Sequence, residues 1–290
     1  MKLYRVQLTL SSPLVTPLKG DTIWGHVVWG IANHEEDVAV AQFLQDCAAD
    51  EPAFTVSTAF PHGYICRHLH EVQKREEILT SESYAALKRL KKALYEAAAT
   101  YLAVSAPDVA HDSAFVQNTV SHNSISRISG TVEENGLYAQ MELCPKTKEF
   151  DLYIAASYPP GRCLELCKWA FENGYGADAS TGKGVITVSD DIQEVAAKYA
   201  GNRYMALAPF ALADMNTISD LRADLFVRNG KIGGAFAGML APWKKTVVLY
   251  NEGAVFTAES GLHSVGMLLK NIHADGRICQ CAFAPVIPIA

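Results

Sequence analysis

An α+β fold of two ferredoxin-like, RRM-like domains in tandem is predicted by three features of this 290-residue sequence. A period-two strand opens the chain, the order strand–helix–strand–strand–helix–strand follows, and a second, more degenerate strand-rich set occupies the remainder. In Lys2 to Leu10, residues Tyr4, Val6, Leu8 and Leu10 alternate with Leu3, Arg5, Gln7 and Thr9, which describes a strand with one largely polar face. Asp21 then reads as the cap of a helix whose apolar residues Ile23, Trp24, Val27, Val28 and Ile31 recur at helical spacing. From about Asp50 to Asn118 the pattern becomes irregular and holds a long basic helix, Glu82 to Val104, so this stretch reads as a largely helical insertion that meets a partner or forms a lid.

Two strand-like runs, around Gly136 to Leu143 and Glu149 to Ala156, flank the turn-forming Pro145-Lys146-Thr147-Lys148 and read as a hairpin. Cys163, Leu166, Cys167, Ala170 and Phe171 mark a second helix, followed by a glycine-rich loop and the strand Val185 to Val188, which closes a first domain at about residue 190. In the second domain, 191–290, the expected elements are a strand from Tyr204 to Leu212, a helix around Ile218 to Leu221, and Phe226 to Ile232 turning at Asn229-Gly230. A hairpin from Thr246 to Phe256 and a last strand near Ile278 to Val286 complete it.

With 49% apolar residues the chain is long enough to bury one large core or two smaller ones. Its apolar runs are far shorter than a membrane span, and MKLYRVQLTL alternates where a signal peptide would be uniformly apolar, so a cytoplasmic protein without a membrane partner is expected. Seven cysteines without framework spacing suit a reducing compartment and read as small core residues. A zinc site would lack any CxxC and need His68 or His70 as distant ligands. A net charge of −6 argues against a free-standing, non-specific nucleic-acid binder, so any RNA site must be local. Basic residues cluster at Arg67, Lys74-Arg75, Lys88-Arg89 with Lys91-Lys92, and Lys244-Lys245, where a solvated face is the plainer reading.

The stretch from Gly174 to Val188, GYGADASTGKGVITV, places four glycines, a Ser-Thr pair and Lys183 between a helix and a strand. Such a loop suits a phosphate chain, but it is not a P-loop. The first glycine position holds Ala177, Gly184 follows Lys183 where a magnesium-binding hydroxyl belongs, and the helix precedes the strand. A loop that only turns the chain after Asn173-Gly174 remains the alternative.

Several segments together resemble the RAMP superfamily of CRISPR proteins, and specifically the fourth subunit of type III-A (Csm) complexes. They are PLKGDTIWGHVVWG at Pro17 to Gly30, HNSISRISGTVEENGLY at His122 to Tyr138, GADASTGKG at Gly176 to Gly184, VVLYNEGAVF at Val247 to Phe256, and CQCAFAPVI near the C-terminus. The resemblance implies a non-catalytic subunit, without cofactor or metal, that caps the 5′ repeat-derived tag of the guide RNA (crRNA). Its implied partners are the large palm-domain signalling subunit and the adjacent RAMP backbone subunit, with target RNA met only indirectly. It also implies that the loop packs on the RNA backbone, with donors from Ser180, Thr181, Gly182, Lys183 and Gly184 and one charge from Lys183. The polar residues His122, Asn123, Ser124 and Arg127 suit the base edges and phosphates of a splayed strand, although pairing within a sheet is an open alternative. Ser126 stands where the family pattern often has an acidic residue before the arginine. Ile128 to Leu143 resembles a thumb-like hairpin, with Leu137, Tyr138 and Met141 as wedge candidates. Lys19, Lys244 and Lys245 are candidate phosphate contacts. Within the same superfamily the alternative is a metal-independent endoribonuclease that processes precursor crRNA, with His26 as general acid/base. His26 lies in an apolar run of Trp24, Val28 and Trp29, which also suits a packed histidine. A scaffold whose glycine loop touches only protein is a third reading.

Overall fold

The computed structural model describes residues 1–49, 51–69, 94–105, 113–238 and 241–290. The first strand, β1 (Lys2–Leu10), buries Tyr4, Val6, Leu8 and Leu10 as the alternation predicts. Helices α1 (Gly20–His34) and α2 (Asp37–Cys47) follow, then strands β2 (Phe54–Val56), β3 (Phe60–Pro61) and β4 (Tyr64–Cys66). After β5 (Tyr95–Ala97) come the long β6 (Phe115–Ile125) and β7 (Val132–Pro145), β8 (Glu149–Ala156), α3 (Pro160–Phe171) and β9 (Ile186–Glu194). The first sheet runs β2-β8-β1-β9, with every neighbouring pair antiparallel and β3 also on β8. Ile23, Trp24, Val27 and Ile31 of α1 and Cys163, Leu166, Cys167 and Ala170 of α3 share one buried cluster with the inward side chains of β1. That burial, not helix propensity, holds both helices.

The second half holds β10 (Arg203–Ala206), β11 (Ser219–Arg222), β12 (Leu225–Arg228), β13 (Val247–Tyr250), β14 (Val255–Thr257), β15 (Ser264–Leu269) and β16 (Gln280–Pro288). Its sheet runs β11-β14-β10-β16-β15, while β12 and β13 form a separate two-stranded ribbon. Phe60, Ile65 and Tyr153 from the first half pack with Met205, Leu207, Val255 and Ile287 from the second, so one buried cluster draws on both.

Several expectations are corrected. Asp21 does not cap α1: Lys19 is the N-cap residue, and Asp21, one residue into the helix, is buried. The stretch 50–118 is not wholly an insertion, and its described part is not largely helical. β2 pairs with β8 in the main sheet, and 95–97, expected to be helical, pair as β5 with β4, since cross-strand partners outweigh local propensity. Residues 70–93, with most of the basic helix, His70 and the clusters Lys74-Arg75 and Lys88 to Lys92, lie outside the described residues. β7 pairs with β6, not with β8; β8 instead takes β1, whose apolar face it extends. In the second half, 219–222 are a strand against β14 in place of the expected helix. Asn229-Gly230 does not close a hairpin, and 246–256 are not one, because β12 pairs with β13 and β14 pairs with β10 and β11.

Candidate nucleic-acid interface

The hairpin β6–β7 is a two-stranded sheet of its own, and most of its described residues are exposed. It is longer than the thumb expected at 128–143 and takes in the His122–Arg127 segment, which is its outgoing strand and turn. Its root is fixed by Leu143 and Leu14, whose amides and carbonyls exchange hydrogen bonds of 3.0 and 2.7 Å. Register places His122 opposite Tyr138 and Asn123 opposite Leu137. The His122 and Tyr138 rings stack with centroids 5.3 Å apart and planes 15° apart, and His122 Nε2 is buried without a hydrogen-bond partner among the described residues. Asn123 and Arg127 are exposed, and Ser124 is half-buried. Ser126 holds the turn: its hydroxyl accepts the amides of Ile128 at 3.3 Å and Ser129 at 3.4 Å, the job that replaces any orienting of the Arg127 guanidinium.

The wedge candidates Leu137, Tyr138 and Met141 are all exposed. So are Val116, Ile125, Ile128 and Val132, which sequence reading did not single out, and Ile128 at the tip is fully so. The signal was present: apolar residues recur on both strands of a segment whose partner strand is only its own return. A ribbon that leaves this much apolar surface in water presents a contact face for something else.

The glycine loop lies at the root of the hairpin, and its chemistry differs from expectation. Among the expected amide donors, Thr181 and Lys183 donate to the Asp178 carbonyl at 3.0 and 3.2 Å, Gly182 to Ala179 at 3.0 Å, and Gly184 to Pro13 at 2.9 Å. These four donors are consumed within the chain, so no open amide nest awaits an anion there. Gly184 has φ +65°, and a Cβ on it would lie 2.1 Å from the Tyr175 carbonyl oxygen, so glycine is required where two backbone segments meet. Lys183 does not extend into solvent either: its Nζ lies 2.6 Å from Oε1 of Glu142, a buried carboxylate on β7. The lysine pins the loop to the hairpin and its charge is matched. Ser180, Thr181 and Gly182 remain exposed as the loop's outer edge.

The other cations divide. Lys19 Nζ binds Glu252 and, at 3.0 Å, Asn251 Oδ1, and stands 4.9 Å from the centre of the Phe226 ring, so it joins the two halves and is not a free phosphate contact. Lys244 donates to the Cys279 carbonyl and to Gln280 Oε1, both at 2.9 Å, and its burial lowers its pKa. It too is structural, whereas Lys245 is exposed. Beside them Asp21 accepts two bonds from Arg228, 2.7 Å from Nε and 2.6 Å from Nη2, and a third from Gln280 at 3.0 Å. Sequence reading missed this pair because the partners lie 207 residues apart.

His26 is a packed histidine. Its Nε2 accepts the Gly176 amide at 3.2 Å, its ring lies 4.8 Å from that of Tyr175, and burial pushes its pKa down to about 4. A ring that is neutral and already engaged at Nε2 orders the start of the glycine loop. Among the described residues no cluster of three or more His, Cys, Asp or Glu is placed to hold a metal ion, and no helix is long and apolar enough to cross a membrane.

No protein-family model matches the chain, and no curated protein sequence matches it. Solved structures do. A crystal structure of the Csm1–Csm4 cassette with AMPPNP contains a chain that superposes with a TM-score of 0.62 at 14% identity, covering 100% of this chain and 99% of that one. The same cassette with cA4 gives 0.59 at 15% identity with the same coverage. A Csm3–Csm4 subcomplex of the type III-A CRISPR–Cas interference complex gives 0.58 at 9% identity over the whole of both chains. Csm4 is the component these assemblies share, and at such identities the likeness is one of architecture: this chain has the fold of Csm4.

Proposed function

We propose that the chain is a non-catalytic subunit of a type III-A CRISPR ribonucleoprotein that binds the 5′ repeat-derived tag of the crRNA and anchors the large palm-domain signalling subunit beside a RAMP backbone subunit. The observation that carries this reading is the β6–β7 hairpin, a sheet of its own that exposes Leu137 and Met141 on one face, with Asn123 opposite Leu137, and Tyr138 on the other, with Arg127 exposed in the turn at its tip. An exposed apolar wedge beside a guanidinium and an amide suits a single strand whose bases are splayed and stacked and whose phosphates are met by one or two charges. It also accommodates a net charge of −6, because stacking needs no global positive field. The Csm4 fold supports the same reading, as does the strand order β2-β8-β1-β9 with helices after β1 and β8, which is that of a ferredoxin-like βαββαβ unit. We read the second half as a degenerate copy, since its described residues contain no α-helix.

Capping in this form rests on the hairpin and the outer edge of the glycine loop, not on the amides of Thr181 to Gly184 or on Lys183, which are engaged within the chain. The endoribonuclease alternative is disfavoured by His26, whose Nε2 is occupied and whose low pKa leaves no protonated form to donate near neutrality. The deciding experiment incubates the purified chain, without divalent metal, with labelled repeat-containing RNA and reads binding and cleavage on one gel. Complex formation without cleavage, lost when the tag is scrambled, is expected. A discrete cut at the repeat, abolished by His26→Ala, would overturn the assignment.

A further inference from the structure

The ribbon β12–β13 has two faces and both are apolar. Register pairs Leu225 with Tyr250 and Val227 with Val248, which puts these four on one face, and Phe226 with Leu249 on the other. The inner face is accounted for: Phe226 carries Lys19 and Arg228, and Arg228 reaches Asp21 on α1. The outer face is not. Leu225 is 69% exposed, Val227 and Val248 are each 56% exposed, and Met215, whose sulfur meets the Tyr250 hydroxyl at 3.4 Å, is 54% exposed. Leu225, Val248, Met215 and Tyr250, with Leu212, line a shallow depression of about 290 Å³; Val227 extends the apolar face beyond it. A two-stranded ribbon with one solvated face ordinarily alternates apolar and polar residues; here the outward positions are Leu, Val, Val and Tyr.

We infer that this face docks a protein subunit whose contact surface is apolar and flanked by lysine or arginine. The inference rests on the proposed function, which supplies the protein partners, and adds where one of them sits and by what chemistry. Charge selects the occupant. Asp214, next to Met215, and Asp224, next to Leu225, are exposed carboxylates at the edge of the apolar patch. The cation on β12, Arg228, is turned inward to Asp21. Phosphate is repelled by such a rim, so the face does not suit the guide RNA. A second copy is disfavoured as well, because a two-fold contact would set acidic rim against acidic rim. An apolar patch with a basic border on another chain matches both features, with the apolar core providing affinity and the rim providing steering.

The test co-expresses the tagged chain with the large subunit and, separately, with the backbone subunit, and compares wild type with a Leu225→Asp, Val227→Asp double variant. Both positions point into solvent, so thermal unfolding should be unchanged; Val248→Lys is a second disruption of the same face on the other strand. We expect a loss of about tenfold or more of one co-purifying subunit with tag-RNA binding retained. We also expect Asp224→Lys to weaken the same assembly several-fold at low salt and less at high salt. Wild-type assembly left unaltered by both face variants would overturn this inference alone. Loss of RNA binding with protein assembly intact would reassign the face to RNA, and loss of a concentration-dependent self-association would reassign it to a second copy, each overturning the inference. A wild-type chain that assembles with neither subunit and binds no tag RNA would overturn the proposed function along with it.

Discussion

Replacing Asp21 by asparagine separates two roles that the sequence and the structure assign to this residue. Asparagine is as good an N-cap as aspartate, so if Asp21 served α1 only as a helix-start residue, Asp21→Asn would cost about a few tenths of a kcal/mol. In the fold its carboxylate is fully buried and takes two bonds from Arg228, whose own side chain is 15% exposed, with Gln280 supplying the third. The amide that replaces the carboxylate would keep one acceptor but leave the guanidinium desolvated without a counter-charge. Breaking a buried pair from one side costs about 3–5 kcal/mol; the residual exposure of Arg228 and the retained amide acceptor place the expected loss at about 2–3 kcal/mol. Urea unfolding followed by circular dichroism reads this as a drop in midpoint at constant slope. The double variant Asp21→Asn, Arg228→Met removes the orphaned charge and should recover more than about 1 kcal/mol, since methionine fills the stem's space over Phe226. A single-variant loss under about 0.5 kcal/mol, or no recovery in the double variant, would refute the argument that this pair clamps the second half onto α1.

His26 gives a pH signature. Its folded pKa, pushed down to about 4 by burial, lies below the unfolded value near 6.5, so the unfolded chain takes up the proton first. Its contribution is therefore intact above about pH 6.5 and lost as pH falls toward about 4, roughly 3 kcal/mol across that window, and His26→Gln should flatten that part of a stability–pH curve. In the glycine loop, Gly184→Ala combines a left-handed backbone with a Cβ 2.1 Å from a carbonyl oxygen and should cost about 3 kcal/mol or more. Gly182→Ala, at φ +88° with nothing within 4 Å, should cost only about 1–2 kcal/mol; equal losses in thermal unfolding would refute the packing argument. On the hairpin, Tyr138→Ala should weaken tag-RNA binding by about 1–3 kcal/mol, or roughly 5- to 150-fold in a gel-shift titration. Unchanged affinity would remove Tyr138 from the interface.

Elements with their own period were legible in the sequence, and those defined by a distant partner were not. β1 and α1 announce themselves because Tyr4, Val6, Leu8 and Leu10, and then Ile23, Trp24, Val27 and Ile31, bury one face each. The residues 95–97 look helical locally, yet pair with β4; 219–222 likewise, yet pair with β14, and no local pattern encodes either partner. The candidate site divides in the same way. A thumb-like hairpin at 128–143 is implied by the family resemblance, whereas the residue pattern pairs 136–143 with 149–156, because nothing local to β7 says that its partner is β6. That Lys183 and Lys19 are spent on Glu142 and Glu252 was not legible, because a basic residue in a glycine-rich or helix-start segment looks the same in sequence whether or not a carboxylate waits for it.

The two ribbons, β6–β7 and β12–β13, pose one physical question. A hairpin standing alone in water is marginal, because it has no third layer to bury its apolar side chains against. Here β6–β7 exposes Leu137, Tyr138, Met141 and Ile128, and β12–β13 exposes Leu225, Val227 and Val248, while most large apolar residues of the described chain are buried in three clusters. The two differ in what surrounds the apolar surface. The first carries Arg127, Asn123, the exposed Glu134 and an imidazole nitrogen without a hydrogen-bond partner among the described residues, and the second is bordered by Asp214 and Asp224. If each ribbon is completed by a ligand, the first, with an exposed ring and aliphatic side chains beside a guanidinium and a carboxylate, favours a ligand that stacks, and the second a cationic protein surface, so one acidic chain can hold an RNA and a protein at once without either competing for the other's site. A ternary assembly in which Tyr138→Ala loosens only the RNA and Leu225→Asp with Val227→Asp loosens only the protein is the outcome this division of charge requires.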